Sequence, residues 1–197
     1  MRPALLSLVA MGVLAVGAVS LGAEEKIEAS PYYPLKVGTK WQYRLGEEKV
    51  HIRVARHEKV GNEGCAVLES VQDGKVIETE TIAVRKDGLY RIATDDGPLN
   101  PPMCFLKLPP RRGASWDVNF QIGDAKVSGT LLLDTEEVQV PAGKFSAVVT
   151  RDRDFQINGT KLDSAVWFVS GIGPVKKWVK VGKLEMVLAL EKFEPAP

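Results

Sequence analysis

The sequence predicts an all-β protein: a strongly curved antiparallel sheet, barrel or half-barrel, of about 11 strands. Three observations predict it. From Thr39 onward, apolar and polar residues alternate with period two. Hairpin dipeptides separate the alternating runs. No window after residue 24 carries the 3.6-residue period of an amphipathic helix.

The N-terminus comes first. Arg2 precedes an uncharged run from Ala4 to Leu21, small residues occur at Ala18, Ser20, Gly22 and Ala23, and Glu24-Glu25 follow. That order is the signature of a secretory signal peptide, so residues 1–23 are expected to direct export to the periplasm or outside the cell and to be removed. The alternative is a retained anchor, because about 18 apolar residues approach the length of a membrane span. Gly12 and Gly17 weaken the run as a membrane helix, and no cysteine ends it as a site for lipid attachment. No transmembrane span is expected after cleavage. Residues 24–38 read as an extended segment and residues 39–195 as a single β domain.

Charge narrows the function. Arg2 is the one charge in residues 1–23, so the remaining chain balances 25 basic against 25 acidic residues. A zero balance argues against nucleic-acid binding and against electrostatic membrane binding.

Strands are expected at 39–46, 49–60, 64–72, 75–85, 88–93, 115–122, 126–134, 144–157, 160–169, 174–181 and 184–194. Val50, Ile52 and Val54 alternate with polar neighbours, as do Trp116, Val118, Phe120 and Ile122. Asp73-Gly74, Asp87-Gly88 and Asn158-Gly159 suit turns with two positive φ angles; Gly123-Asp124 and Gly182-Lys183 suit the type with glycine first. Long strands joined as a meander favour a curved sheet over a sandwich.

One segment breaks the rhythm. Pro98, Pro101, Pro102, Pro109 and Pro110 are five of the chain's 12 prolines. Proline donates no ladder hydrogen bond, so residues 97–112 are expected to form a loop rather than an interior strand. Its Met103, Phe105, Leu106 and Leu108 must nevertheless bury against something. The loop is therefore either a cover over the sheet's open face or a lid over a ligand.

Three stretches carry a resemblance: YYPLKVGTKWQYRLG at Tyr32–Gly46, VPAGKF at Val140–Phe145 and WFVSGIGPVKK at Trp167–Lys177. In this order they resemble a group of exported bacterial proteins, the domain-of-unknown-function 3108-like group. The resemblance implies a curved all-β sheet similar to the periplasmic carriers of outer-membrane lipoproteins, and it brings no catalytic residues. Val169-Ser170 stands where the group more often has Ala-Pro. Read locally, all three stretches are folding signals: Pro141, Ala142 and Gly143 make a tight turn, and Trp41 and Tyr43 share one strand face.

Candidate chemistry is sparse. Export would place Cys65 and Cys104 in an oxidising compartment, where they are either a disulfide or two buried thiols. His51 and His57 share strand parity opposite Val50, Ile52 and Val54, so both are expected on a solvated face, about 20 Å apart. No metal-ligand spacing, cofactor motif or nucleophile motif occurs. Among the acids, Glu78, Glu80, Asp134, Glu136 and Glu137 could conceal a glycosidase pair. Arg151 and Arg153 share parity with Phe145, Ala147, Val149, Phe155 and Ile157. They either reach an anionic partner or ligand head group on the apolar side, or mark a strand that has left the core.

The expected function is a non-enzymatic exported β-protein. It would bind a lipid or other apolar molecule, or an extended segment of an envelope protein. Met103, Phe105, Leu106, Leu108, Arg151 and Arg153 are the candidate ligand residues. A structural envelope module with a filled core is the alternative, and a carboxylate hydrolase stands behind both.

Overall fold

Short reversals turn the chain back on itself at every strand end. In the computed structural model, which describes residues 27–197, they produce thirteen strands and no helix among the described residues. These are β1 (Lys40–Leu45), β2 (Glu48–Val60), β3 (Glu63–Gln72), β4 (Lys75–Arg85), β5 (Gly88–Thr94), β6 (Gly97–Lys107), β7 (Ser115–Ile122), β8 (Ala125–Val140), β9 (Gly143–Ile157), β10 (Thr160–Lys161), β11 (Asp163–Val169), β12 (Gly173–Val181) and β13 (Leu184–Glu194). The signal-peptide expectation lies outside the described residues.

Every strand pairs antiparallel with its neighbour in sequence, save that β10 only extends the hairpin at the tip of β9 and β11 takes the next place in the wall. The pairing of β13 with β1 closes the circuit, giving a twelve-stranded up-and-down barrel. Closure removes the free edges that an open sheet would have to protect, except along the unpaired parts of β6 and β7.

The turns explain the reversals. Asp73-Gly74 and Asn158-Gly159 have positive φ at both residues, while Gly123 and Gly182 supply it at the first turn position. Asp87-Gly88 departs from expectation, because Gly88 already belongs to β5 and lacks a positive φ. Its glycine has another cause. A Cβ there would lie 2.7 Å from both Cys104 Sγ and the Leu106 carbonyl oxygen.

The largest correction is β6. The proline-rich stretch is a wall strand through Lys107, not a loop, and only its last residues leave the sheet. Proline is tolerated because the ladders largely avoid it: of the three prolines in β6, Pro98 alone has a partner, Ala93. Pro101 and Pro102 have no partner on β5, where the register slips between Arg91 and Ala93. On the other side, β6 pairs with β7 only at Leu99–Ile122 and Asn100–Gln121. Beyond those pairs the two strands part. Trp116 spans the seam, its indole N–H donating to the Cys104 carbonyl at 2.9 Å with the Lys107 ammonium above the ring. The expected strand at 126–134 also runs further, to Val140, and the strand expected at 160–169 is divided into β10 and β11.

In an up-and-down barrel successive turns alternate between the two ends. The end holding the β2–β3, β4–β5, β8–β9 and β11–β12 turns is capped by residues 27–39. Tyr33 and Leu35 bury there with Trp41, Tyr43, Phe168 and Val175. The Gly171 amide donates to the Pro31 carbonyl, the Gly38 amide donates to the Val54 carbonyl, and the Ala142 amide donates to Leu190 of β13. The three motif stretches therefore meet at this capped end.

His57 belongs to the cap as well. A bulge between Val54 and Arg56 shifts the parity of β2. His51 is exposed as expected, but His57 pairs with the core residue Ala66 and its Nε2 lies 2.7 Å from the Leu35 carbonyl oxygen. Cys65 and Cys104 are free thiols. The pairs Cys65–Ala83, Ala83–Tyr90 and Tyr90–Cys104 put them in one row, three strand spacings or about 14 Å apart. That separation is twice the reach of a disulfide, about 7 Å between Cα atoms. Burial pushes the Cys65 thiol up to about 11.

Candidate functional site

Beyond the capped core, the barrel encloses a cavity of about 360 Å³, within the range that holds small ligands. It reaches the other end of the barrel, where exposed Asp96 in the β5–β6 turn lies on its rim.

Two kinds of wall face each other. Strands β6 to β9 and β11 supply an apolar wall, which includes Leu99, Met103, Phe120, Leu131, Phe155 and Phe168. These come mainly from a second core cluster with no part in the cap. A local device seats Phe155. Asp154 takes a positive φ of 56°, β8 is bulged between Ser128 and Thr130, and a Cβ on Gly129 would lie 2.7 Å from Phe155 Cα.

The other wall carries charge. On β4, Glu78 and Glu80 share parity with Ile82; on β5, Arg91 pairs with Ile82 and Thr94 with Glu80. Lys177 of β12 lines the same cavity. Arg91 Nη2 binds Glu80 Oε1 at 2.5 Å, and Arg91 Nε is buried with no partner among the described residues. Glu80 is 8% exposed. Burial works to raise its pKa, but the charges of Arg91 and Lys177 prevail and hold it below the usual carboxylate value. Glu78 goes the other way: burial first, and then the charge of Glu80, raise it above that value. Two acids two residues apart are thus driven in opposite directions by their surroundings. On β9, Asp152 shares the parity of Thr150; its carboxyl accepts the Ser164 amide at 2.7 Å through one oxygen, the other is buried with no partner among the described residues, and burial raises its pKa too.

Of the residues singled out from the sequence, Met103 and Phe105 lie in the cavity wall. Leu106 is fully buried in the cap core, and Leu108 packs against that core. Arg151 follows the cavity residue Thr150 and so points the opposite way. Its guanidinium binds Glu136 at 2.7 Å and lies over the Trp167 ring. Arg153 is exposed. Their parity-mates Ala147 and Val149 are buried all the same, which is why an apolar parity did not identify the inner face. Among the remaining acids, Asp134 pairs with Arg112 and Glu137 with Lys144.

Sequence reasoning named Glu78 and Glu80 among five acids that could conceal a pair, but it missed Arg91 and Lys177 and with them the charged quartet. A signal existed. Each of these residues shares strand parity with buried apolar residues: the two acids with Ile82, Arg91 with Leu89, and Lys177 with Val175.

No family model and no curated protein matches the chain. The fold is similar to the crystal structure of a putative lipoprotein from Parabacteroides distasonis, with a TM-score of 0.51 and 11% identity over 83% of this chain and 98% of that one. A putative exported protein with a YmcC-like fold from Bacteroides fragilis aligns at a TM-score of 0.47 and 16% identity, over the same shares of the two chains. The likeness to the Parabacteroides structure is one of fold.

Proposed function

We propose that this is an exported, non-enzymatic β-barrel that binds an amphiphile, with the apolar chain against the β6–β9 and β11 wall and the polar group toward the charged quartet. One observation carries the reading. The barrel core is packed at the capped end yet leaves about 360 Å³ unfilled beside a continuous apolar surface. A module with a purely structural role would gain by filling that space, since an unfilled cavity forgoes packing. Export is supported by the N-terminal sequence, by the resemblance of the ordered motifs to the exported-protein group, and by fold similarity to a putative lipoprotein. A lipid or another apolar small molecule is the ligand class; an envelope protein would be its donor or acceptor.

The test is organic extraction and mass spectrometry of protein purified without detergent, with a calorimetric titration of delipidated protein against decanol. One equivalent of bound amphiphile, or saturable decanol binding, is expected. Lipid-free protein that does not bind decanol would return the barrel to the structural reading.

A carboxylate hydrolase is the second reading. It rests on the opposed pKa shifts of Glu78 and Glu80, the pattern of an acid and a base at work in one site. The engagement of Glu80 by Arg91 and the apolar opposite wall favour binding instead. Turnover of a panel of chromogenic glycosides or esters, abolished by Glu78→Gln, would restore it.

A further inference from the structure

The charge of the cavity points to the charge of its ligand. Glu80 is committed to Arg91, whereas Glu78 and Lys177 have no ion-pair partner among the described residues and face one common space. With both acids ionised the quartet is neutral. The other titratable groups turned toward Glu78 are Asp95 and Asp96 in the β5–β6 turn and Tyr33 from the cap. Asp95 accepts from the Thr79 amide at 3.0 Å and from its hydroxyl, and it is exposed at the end of the barrel, where water screens its charge. Tyr33 is a neutral phenol at physiological pH, since burial raises its pKa further above 10.0. Asp96 is at the solvated rim.

An apolar chain entering this space displaces water from around the quartet, so any net charge brought in must be offset locally. A neutral head group needs no adjustment. A cation would leave an excess positive charge, with both acids already ionised to balance Arg91 and Lys177. An anion can be balanced by a single proton on Glu78, the carboxyl with the least support for its charge. The loaded cavity then holds Glu80 with Arg91, and the ligand anion with Lys177.

We propose that the cavity is loaded with a single-chain amphiphile bearing one negative charge, its head group against Lys177, and that loading places one proton on Glu78. This rests on the reading of the cavity as a ligand site. No bond is made or broken other than the O–H bond on Glu78, whose proton comes from solvent.

The experiment compares three probes of one chain length by isothermal titration calorimetry between pH 5.5 and 8.5: decyl sulfate, decanol and decyltrimethylammonium. Decyl sulfate stays anionic throughout, so any pH dependence belongs to the protein. Repeating the titrations in two buffers of different ionisation heat counts the protons taken up. The sulfate should bind tightest and take up one proton. Its affinity should fall as pH rises, by up to about tenfold per unit once free Glu78 is ionised. Decanol should bind with a flat profile, and the ammonium most weakly. Glu78→Gln should flatten the sulfate profile and tighten sulfate binding at pH 8 by tenfold or more. Lys177→Met should remove the preference for sulfate over decanol. Decanol binding by each variant reports that the barrel is intact. If decanol binds but the sulfate shows neither preference nor proton uptake, or if Glu78→Gln leaves the profile unchanged, the head-group assignment is overturned and the cavity reading stands. If none of the three probes binds, the cavity reading falls and takes this proposal with it.

Discussion

Tyr43 donates its phenolic hydrogen to the carbonyl of Pro174 at 2.6 Å, a side chain of one motif stretch closing on the backbone of another 131 residues away. Trp41, two residues earlier on the same face, does the same to the Ile172 carbonyl at 2.6 Å. Both side chains are 1% exposed. The cap is therefore a hydrogen-bonded lock inside an apolar cluster, where an orphaned carbonyl has no water to turn to.

Tyr43→Phe should destabilise the barrel by about 1–3 kcal/mol, because it leaves the Pro174 carbonyl buried and without its donor. Trp41→Ala removes an indole as well as a bond and should cost about 3–5 kcal/mol. Urea denaturation followed by circular dichroism measures both. Equal, negligible losses would mean that the cap is not part of the cooperative core.

Alkali should unlock the same end. Burial raises the Tyr33 and Tyr43 hydroxyls above their ordinary value of 10.0. The unfolded chain then ionises first, so the stability these phenols hold below about pH 10 drains away as pH rises toward their folded values. Midpoints of urea unfolding should fall steeply above pH 10, and less steeply in Tyr43→Phe.

Gly129→Ala should be costly although the position is unremarkable in sequence. The new Cβ would meet backbone and ring of Phe155 at 2.7 Å, with nothing flexible to yield. A loss of about 1–3 kcal/mol is expected from overpacking. Decanol affinity should weaken too, as Phe155 shifts in the cavity wall. A neutral substitution would show that the β8–β9 bulge relaxes freely.

Arg91→Met should destabilise by roughly 3–5 kcal/mol, because it strands the Glu80 carboxylate without its partner. The double variant Glu80→Leu/Arg91→Met should recover most of that loss, since removing both charges removes the desolvation problem. A double variant worse than the single one would mean that the pair, not each charge, holds the wall together.

Most of the fold was legible because the wall of a barrel is built from local rules. Alternation gave the β2 and β7 faces, and Asp73-Gly74 and Asn158-Gly159 marked their turns by residue type alone. What escaped depended on pairing between distant strands. Residues 97–107 read as a loop because proline cannot serve a full ladder, and nothing local revealed that β6 would use so little of one. His57 was misread, and Arg151 stayed between two readings, for a related reason. A bulge reversed the face of one, and an outer layer of Trp167 and Glu136 buried the parity-mates of the other. The site was half legible. Met103 and Phe105 announced themselves as apolar residues in need of cover, and Glu78 and Glu80 stood among the acids that could form a pair, whereas Arg91 and Lys177 resembled ordinary surface charge until closure turned them inward.

Whether the cavity admits an apolar chain can be read without any substitution. In a methyl-resolved NMR titration with decanol, resonances of Leu99, Met103, Val127, Leu131, Val166 and Val179 should shift and saturate together, since all six line the space. Methyls of Val50, Leu68 and Leu190 in the capped core should stay in place. Unmoved cavity methyls, or shifts confined to exposed Val60 and Val76, would contradict the account.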